Sequence, residues 1–237
     1  MRAAAPVLAV DGPSGAGKGA VSAALARRLG WNVLDSGAVY RAVALASLER
    51  VIDAGDEIAL VELARDLPLS FEADQDGIEA VLAGRRIGRL LRSEEVSVRA
   101  SKVAAIPALR AALLELQRGA RRLPGLVADG RDMGTVVFPD AALKIFLDAS
   151  VEERANRRYK QLKEKGESVR LSRLFRDMQE RDRRDRERAV APTVPATDAV
   201  IVDSTHLSLE QVIERIAALA RQRFGPSSFP ESEEQEQ

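Results

Sequence analysis

Three uninterrupted apolar runs punctuate the chain: Val7-Leu8-Ala9-Val10, Leu126-Val127-Ala128 and Ala199-Val200-Ile201-Val202. A fourth, Leu143-Lys144-Ile145-Phe146-Leu147, is broken by a single lysine. Short apolar runs without alternation suit strands buried on both faces, as in a parallel sheet covered by helices. The pattern predicts a first strand over 6–10, a helix over 18–29 and an extended segment from Trp31 to Leu34. Helices follow over about 37–54 and 57–67. Leu69-Ser70-Phe71-Glu72 then alternates, Asp74-Gln75-Asp76-Gly77 is a turn, Ile78 to Leu82 is extended again, and Ala83-Gly84 precedes Arg85-Arg86-Ile87. That reads as an antiparallel meander over 68–90, which cannot join a parallel sheet without a crossover and so reads as an insertion. Helices near 94–104 and 107–122 lead back to the core. A charged helical region over 151–188, interrupted around Gly166, precedes the last strand. An amphipathic helix over 208–223 ends the pattern, so the fold class is α/β.

Length and composition narrow this further. With 237 residues the chain fits one α/β domain with an insertion, over 1–223, better than two domains. Aromatic residues make up only 4%, so packing relies on Ala, Leu, Val and Ile, with Trp31 a core residue. Cysteine is absent, which excludes disulfides and thiolate metal sites and suits a reducing cytoplasm. No apolar run approaches a membrane span, and the first strand starts too early for a signal peptide. After Phe224 the Pro-, Ser- and Glu-rich residues 224–237 read as a disordered acidic tail. Net charge is zero, yet residues 151–188 hold 14 Lys and Arg against 9 Asp and Glu. A basic region within a neutral chain argues for a small anionic ligand and against nucleic acid. Nothing in the pattern demands assembly, so a monomer is expected.

Between the first strand and first helix lies Gly12-Pro13-Ser14-Gly15-Ala16-Gly17-Lys18-Gly19. Glycines let successive backbone N–H groups turn inward around phosphate oxygens, the helix start adds partial positive charge, and Lys18 supplies a full one. The hydroxyl residue that commonly follows the lysine and holds Mg²⁺ is replaced by Gly19, a variant that suits kinases of small molecules better than regulatory GTPases. Asp11 and Asp35 follow apolar runs and either touch a metal-bound water or act as caps; capping is the better reading for Asp35.

Further constellations sit at strand ends. In Asp35-Ser36-Gly37-Ala38-Val39-Tyr40-Arg41, Ser36 either caps a helix or, with Arg41, meets a second phosphate. Asp129-Gly130-Arg131-Asp132-Met133-Gly134-Thr135 follows a core strand, where ligands of parallel sheets gather. There Asp129 is a candidate for a metal-bound water, Arg131 for a moving phosphoryl group and Asp132 for a contact to the acceptor. Arg181, Asp185 and Arg188 share one helical face by their spacing. They fit either a phosphate and ribose or a solvated surface. Arg154, Arg157 and Arg158 pose the same choice. The one histidine, His206, reads as a surface loop residue, and no guanine-reading N-K-x-D element occurs.

Taken together, Val10 to Gly19, Leu34 to Arg41, Asp129 to Pro139 and Arg181 to Pro192 resemble the bacterial cytidylate kinases, nucleoside-monophosphate kinases among the P-loop phosphotransferases. The likeness spans roughly residues 6–223. It implies a P-loop kinase core with a parallel sheet flanked by helices. It also implies a CMP-binding lobe over about 37–122 containing the β-insertion, and a helical lid over about 154–188. The implied reaction moves the γ-phosphoryl of ATP to CMP or dCMP with Mg²⁺. Carried onto this sequence, Gly12 to Lys18 with Gly19 and Ala20 hold ATP. Ser101, Arg110 and Asp132 read cytosine, and Asp185 meets the ribose. Arg41, Arg131, Arg181 and Arg188 surround the CMP phosphate, with Ser36 assisting. Lys18, Arg131, Arg157 and Arg188 carry catalysis. No residue is implied as a direct metal ligand, Asp129 acting through water. Ala20 departs from the family's usual Thr or Ser. The alternatives are a kinase for another small acceptor such as UMP, or a nucleotide-binding switch without catalysis.

Overall fold

A computed structural model describes residues 4–75, 77–164, 166, 168–188 and 190–225. Asp76 of the predicted turn and the acidic tail beyond residue 225 lie outside them.

The central sheet is built from β1 (Val7–Asp11), β2 (Asn32–Asp35), β6 (Leu126–Asp129), β7 (Leu143–Asp148) and β8 (Val200–Asp203). All are parallel, in the order β2-β6-β1-β7-β8. Strand order reverses at β1, so the crevice beyond its carboxyl end is where ligands of such sheets bind. β1 is buried along its whole length, as its unbroken apolar run requires. Val7 and Ala9 face one core and Leu8 and Val10 the other, the two-residue period of a strand.

The first core lies under α2 (Ser36–Glu49), α3 (Glu57–Arg65), α4 (Glu94–Val103) and α5 (Pro107–Gly119). The second lies under α1 (Lys18–Leu29) and α8 (Leu209–Phe224). A capping box between Ser208 and Gln211 starts α8. At its other end, Phe224 meets Trp31 edge to face with centroids 4.8 Å apart. The expected meander is a second, antiparallel sheet of β3 (Leu69–Ala73), β4 (Ile78–Leu82) and β5 (Arg85–Arg86). Between β7 and β8, α6 (Val151–Glu164) and α7 (Leu171–Glu187) form a helical hairpin.

Several boundaries differ from expectation. The helix expected over 37–54 stops at Glu49, although Val51 and Ile52 continue the apolar pattern. Val51 adopts a left-handed φ of 56°, and the Ile52 N–H closes the end by donating to the Ser47 carbonyl at 2.9 Å. The helix expected to 122 ends at Gly119, and beyond it Arg121 donates to the Ala5 carbonyl at 2.6 Å and to Asp140 at 2.7 Å. The cap of α2 is Asp35, whose Oδ1 accepts the Ala38 N–H at 2.9 Å, and not Ser36, which is the first helical residue. Residues Met133–Val137, beyond the end of β6, form one turn of π-helix.

Candidate active site

The phosphate loop is shaped by close approach and by positive φ. Gly12, at φ 146°, packs so tightly on the Leu147 carbonyl that no Cβ fits between them. Gly17, at φ 95°, turns the chain into α1 and accepts the Val21 N–H at 3.1 Å. Lys18 is 6% exposed, and its Nζ donates to the Pro13 carbonyl at 2.9 Å, folding the ammonium back over the loop. A Cβ on Gly15 would stand 3.4 Å from Arg154 Cβ and 3.3 Å from Met178 Cε, so both hairpin helices come close to the loop.

Parallel register places three carboxylates at adjacent strand ends. Asp129 pairs in register with Val10 and with Asp35, and Asp11 follows Val10. Burial pushes Asp129 up to about 7, against the pull of Lys18 and with help from Asp35. Burial also raises Asp11 to about 6, although two backbone N–H bonds oppose it. Lys18 is lowered to about 8 by burial and then by Arg131, with the three carboxylates opposing. A Cβ on Gly19 would stand 3.6 Å from the Asp129 Oδ2, so a carboxylate lines the wall beside the missing hydroxyl. Among the described residues no group of three carboxylates or histidines is arranged as a metal cage.

Across the crevice, Arg131 and Arg188 flank Asp185. Arg131 Nε donates to Asp185 Oδ2 at 3.3 Å, and Arg188 lies 3.6 Å from Oδ1. α7 ends at Glu187, so Arg188 stands just past the helix, with its guanidinium also 3.4 Å from Thr193 Oγ1. Loss of water and then Arg131 lower the Arg181 guanidinium, with Arg41 and Arg184 adding to the effect and Asp185 opposing it. This concentration of like charge is what an anionic ligand relieves. Arg41 is held by its own helix, Nε to the Gly37 carbonyl at 3.2 Å, and Ser36 is buried at the start of that helix.

Arg110 lies over the Tyr40 ring at 5.6 Å and stands 4.0 Å from Asp132. Burial raises Asp132, partly offset by Arg110, Arg188 and Arg131. The backbone of Ser101 is in α4, while its side chain lies outside the described atoms.

One expected catalytic residue is engaged elsewhere. Arg157 pairs with Glu153 at 2.9 Å and donates to the Ser204 hydroxyl at 3.2 Å and carbonyl at 2.5 Å, beyond the end of β8. The arginine that meets the phosphate loop is Arg154, only 1% exposed, which donates to the Ser14 carbonyl at 2.9 Å and pairs with Asp182. Arg154 sits one helical turn before Arg158 in a charge-rich segment, and no local pattern separates it from its neighbours.

A glycine-rich loop opening a helix at the switch point of a five-stranded parallel sheet, faced by clustered arginines, defines an α/β phosphate-loop protein of the kinase type. The family model for cytidylate kinase matches residues 8–222. The cytidylate kinase of Aeromonas salmonicida strain A449 is 54% identical over 224 residues, covering 94% of this chain and 97% of that one. The cytidylate kinases of Shigella sonnei strain Ss046 and Escherichia coli strain K12 / DH10B are each 56% identical over 224 residues, covering 94% of this chain and 99% of theirs. The chain belongs to the cytidylate kinase family.

Proposed function

We propose that the protein phosphorylates CMP and dCMP from ATP. The observation that carries this reading is the closeness of the phosphate loop to a cluster of arginines and carboxylates. Lys18, folded over its loop, feels the charge of Arg131, and Arg131, Asp185, Arg188 and the Arg110–Asp132 pair form one cluster. The loop backbone from Gly12 to Ala20 cradles the ATP phosphates, with Lys18 on the outer ones. Arg110 and Asp132, with Ser101, read the cytosine edge. Asp185 meets the ribose. Arg41, Arg181 and Ser36 hold the CMP phosphate, and Arg131 and Arg188 reach the phosphoryl group in flight.

A CMP phosphate oxygen, already anionic at neutral pH, attacks the γ-phosphorus. The bond from that phosphorus to the β-phosphate bridging oxygen breaks, and ADP carries away the electron pair. No strong general base is needed, and the barrier falls by alignment and by positive charge around the phosphoryl group. The donor set suits Mg²⁺ carried by the ATP phosphates. Gly19 brings no hydroxyl, so the Asp129 carboxylate beside it would hold the ion through water. When bound, the ion neutralises phosphate charge.

The α6–α7 hairpin acts as the lid over the donor nucleotide, while residues 37–122 form the acceptor lobe. Arg157 serves that lid from its base. The substrates are small molecules, the working unit is a monomer, and the absence of cysteine supports a cytoplasmic setting.

ADP formation from Mg·ATP with CMP, dCMP, UMP, AMP and GMP tests this. Turnover confined to CMP and dCMP supports the reaction and the base-reading residues. Preference for UMP discards the latter, and silence across the panel discards the reading.

A further inference from the structure

Asp11, the last residue of β1, carries a carboxylate whose two oxygens are both committed to backbone N–H groups of another segment. It is 5% exposed and accepts two backbone N–H groups: Met133 on Oδ1 at 2.8 Å and Gly134 on Oδ2 at 2.7 Å. These open the π-helical turn, where N–H groups lack partners within the helix. One step earlier, the Gly130 N–H donates to the Val10 carbonyl at 3.1 Å. The chain is therefore fastened to β1 at Gly130 and again at Met133. Arg131 and Asp132 alone span the interval.

The far side of the turn is pinned by a second strand. A Cβ on Gly134 would stand 3.1 Å from Lys144 Cδ and 3.3 Å from Asp11 Oδ2, so Gly134 is gripped from both directions. Lys144 Nζ donates to the Pro139 carbonyl at 2.7 Å and to Asp198 Oδ1 at 2.9 Å. The turn thus inherits its position from β1 and β7, the two strands at the floor of the crevice.

We propose that Asp11 is a positioning residue for the acceptor side of the reaction, fixing the Arg131–Asp132 span through its two bonds to the π-turn. The inference rests on the reading that this span meets CMP. A carboxylate suits the task because both oxygens accept. In Asp11→Asn the amide –NH₂ replaces one acceptor, so one buried N–H faces a donor and is left unsatisfied.

The test compares the full-length protein with Asp11→Asn, Gly134→Ala and Asp132→Asn. Asp11→Asn is expected to raise the KM for CMP about tenfold while the KM for ATP stays within about twofold. Amide hydrogen exchange at Met133 and Gly134 is expected to quicken about tenfold or more. Gly134→Ala, which strikes the same anchor from the turn, is expected to show the same selective rise and decides the matter if Asp11→Asn does not fold. A fall in melting temperature with both KM values unchanged, or raised equally, overturns the proposal, as does exchange that stays slow. If Asp132→Asn alone raises the KM for CMP, the anchor falls and the base-reading role stands. If Asp11→Asn raises it and Asp132→Asn does not, that base-reading role falls, and the anchor stands through Arg131.

Discussion

Arg154 of α6 and Asp182 of α7 form a two-bonded ion pair sealed from solvent, the arginine 1% and the aspartate 6% exposed. The same guanidinium donates to the Ala149 carbonyl at 3.0 Å and to the Ser14 carbonyl in the phosphate loop at 2.9 Å. One side chain therefore ties both hairpin helices to the ATP side of the crevice. Removing one member of a buried pair strands the other charge, so Asp182→Asn is expected to cost about 3–5 kcal/mol of stability. The double change Arg154→Met with Asp182→Leu should restore much of that, because an apolar pair of similar volume avoids the desolvation cost. Its KM for ATP should nonetheless rise, since the Ser14 carbonyl loses its donor. Melting temperature and the two KM values, read together, check both halves.

Arg131 and Arg188 share Asp185 between them, and both remain partly exposed. Their loss should not unfold the protein. Arg131→Ala or Arg188→Ala is expected to lower kcat by about 10²–10³, the scale of removing one charged stabiliser of a transition state. Near-normal turnover in both variants, at unchanged melting temperature, counts against the layout proposed for the crevice.

The first strand, the loop after it and α1 were legible because their signal is local: four apolar residues, glycines at turn positions, and a lysine at the helix start. The meander was legible for the same reason, in its alternation around turn residues. What the sequence hid depends on distant partners. The π-turn exists because Asp11, 122 residues away from Met133, satisfies its first N–H groups. Arg154 looks like any arginine of a charged helix until Asp182 and Ser14 close around it. Arg188 fits a helical spacing with Arg181, yet the helix stops one residue earlier, and the chain folds back so that the Thr193 N–H donates to the Asp185 carbonyl at 2.9 Å. Arg110 lies beside Asp132, and Arg131 and Arg188 lie beside Asp185, whereas Arg157 is drawn to Ser204, because the direction of a side chain on a helix is set by tertiary packing.

Ala20 stands exposed in the first turn of α1. The backbone N–H remains for a phosphate oxygen, but alanine brings no hydroxyl beside it. One ordinary solvent-accessible hydrogen bond is worth about 1 kcal/mol net, so Ala20→Thr is expected to lower the KM for ATP about fivefold. An exposed position accepts the larger side chain without repacking. An unchanged KM for ATP removes any role for that hydroxyl.

Lys18 gives the reaction a pH limit. In the unliganded protein its pKa is lowered to about 8, burial contributing most and the positive charge of Arg131 next. Below that pH the ammonium is charged and ready for phosphate; above it the free enzyme holds a neutral amine. Since kcat/KM reports the free enzyme, kcat/KM for ATP is expected to fall progressively as the pH rises above about 8. Once ATP is bound, its phosphates favour the charged form and raise the pKa again. The kcat at saturating ATP should therefore hold to higher pH than kcat/KM does. Initial rates from pH 6 to 10 separate the two profiles. Coincident profiles would mean that phosphate binding leaves the lysine unchanged, and a flat kcat/KM would mean that the buried ammonium keeps its proton.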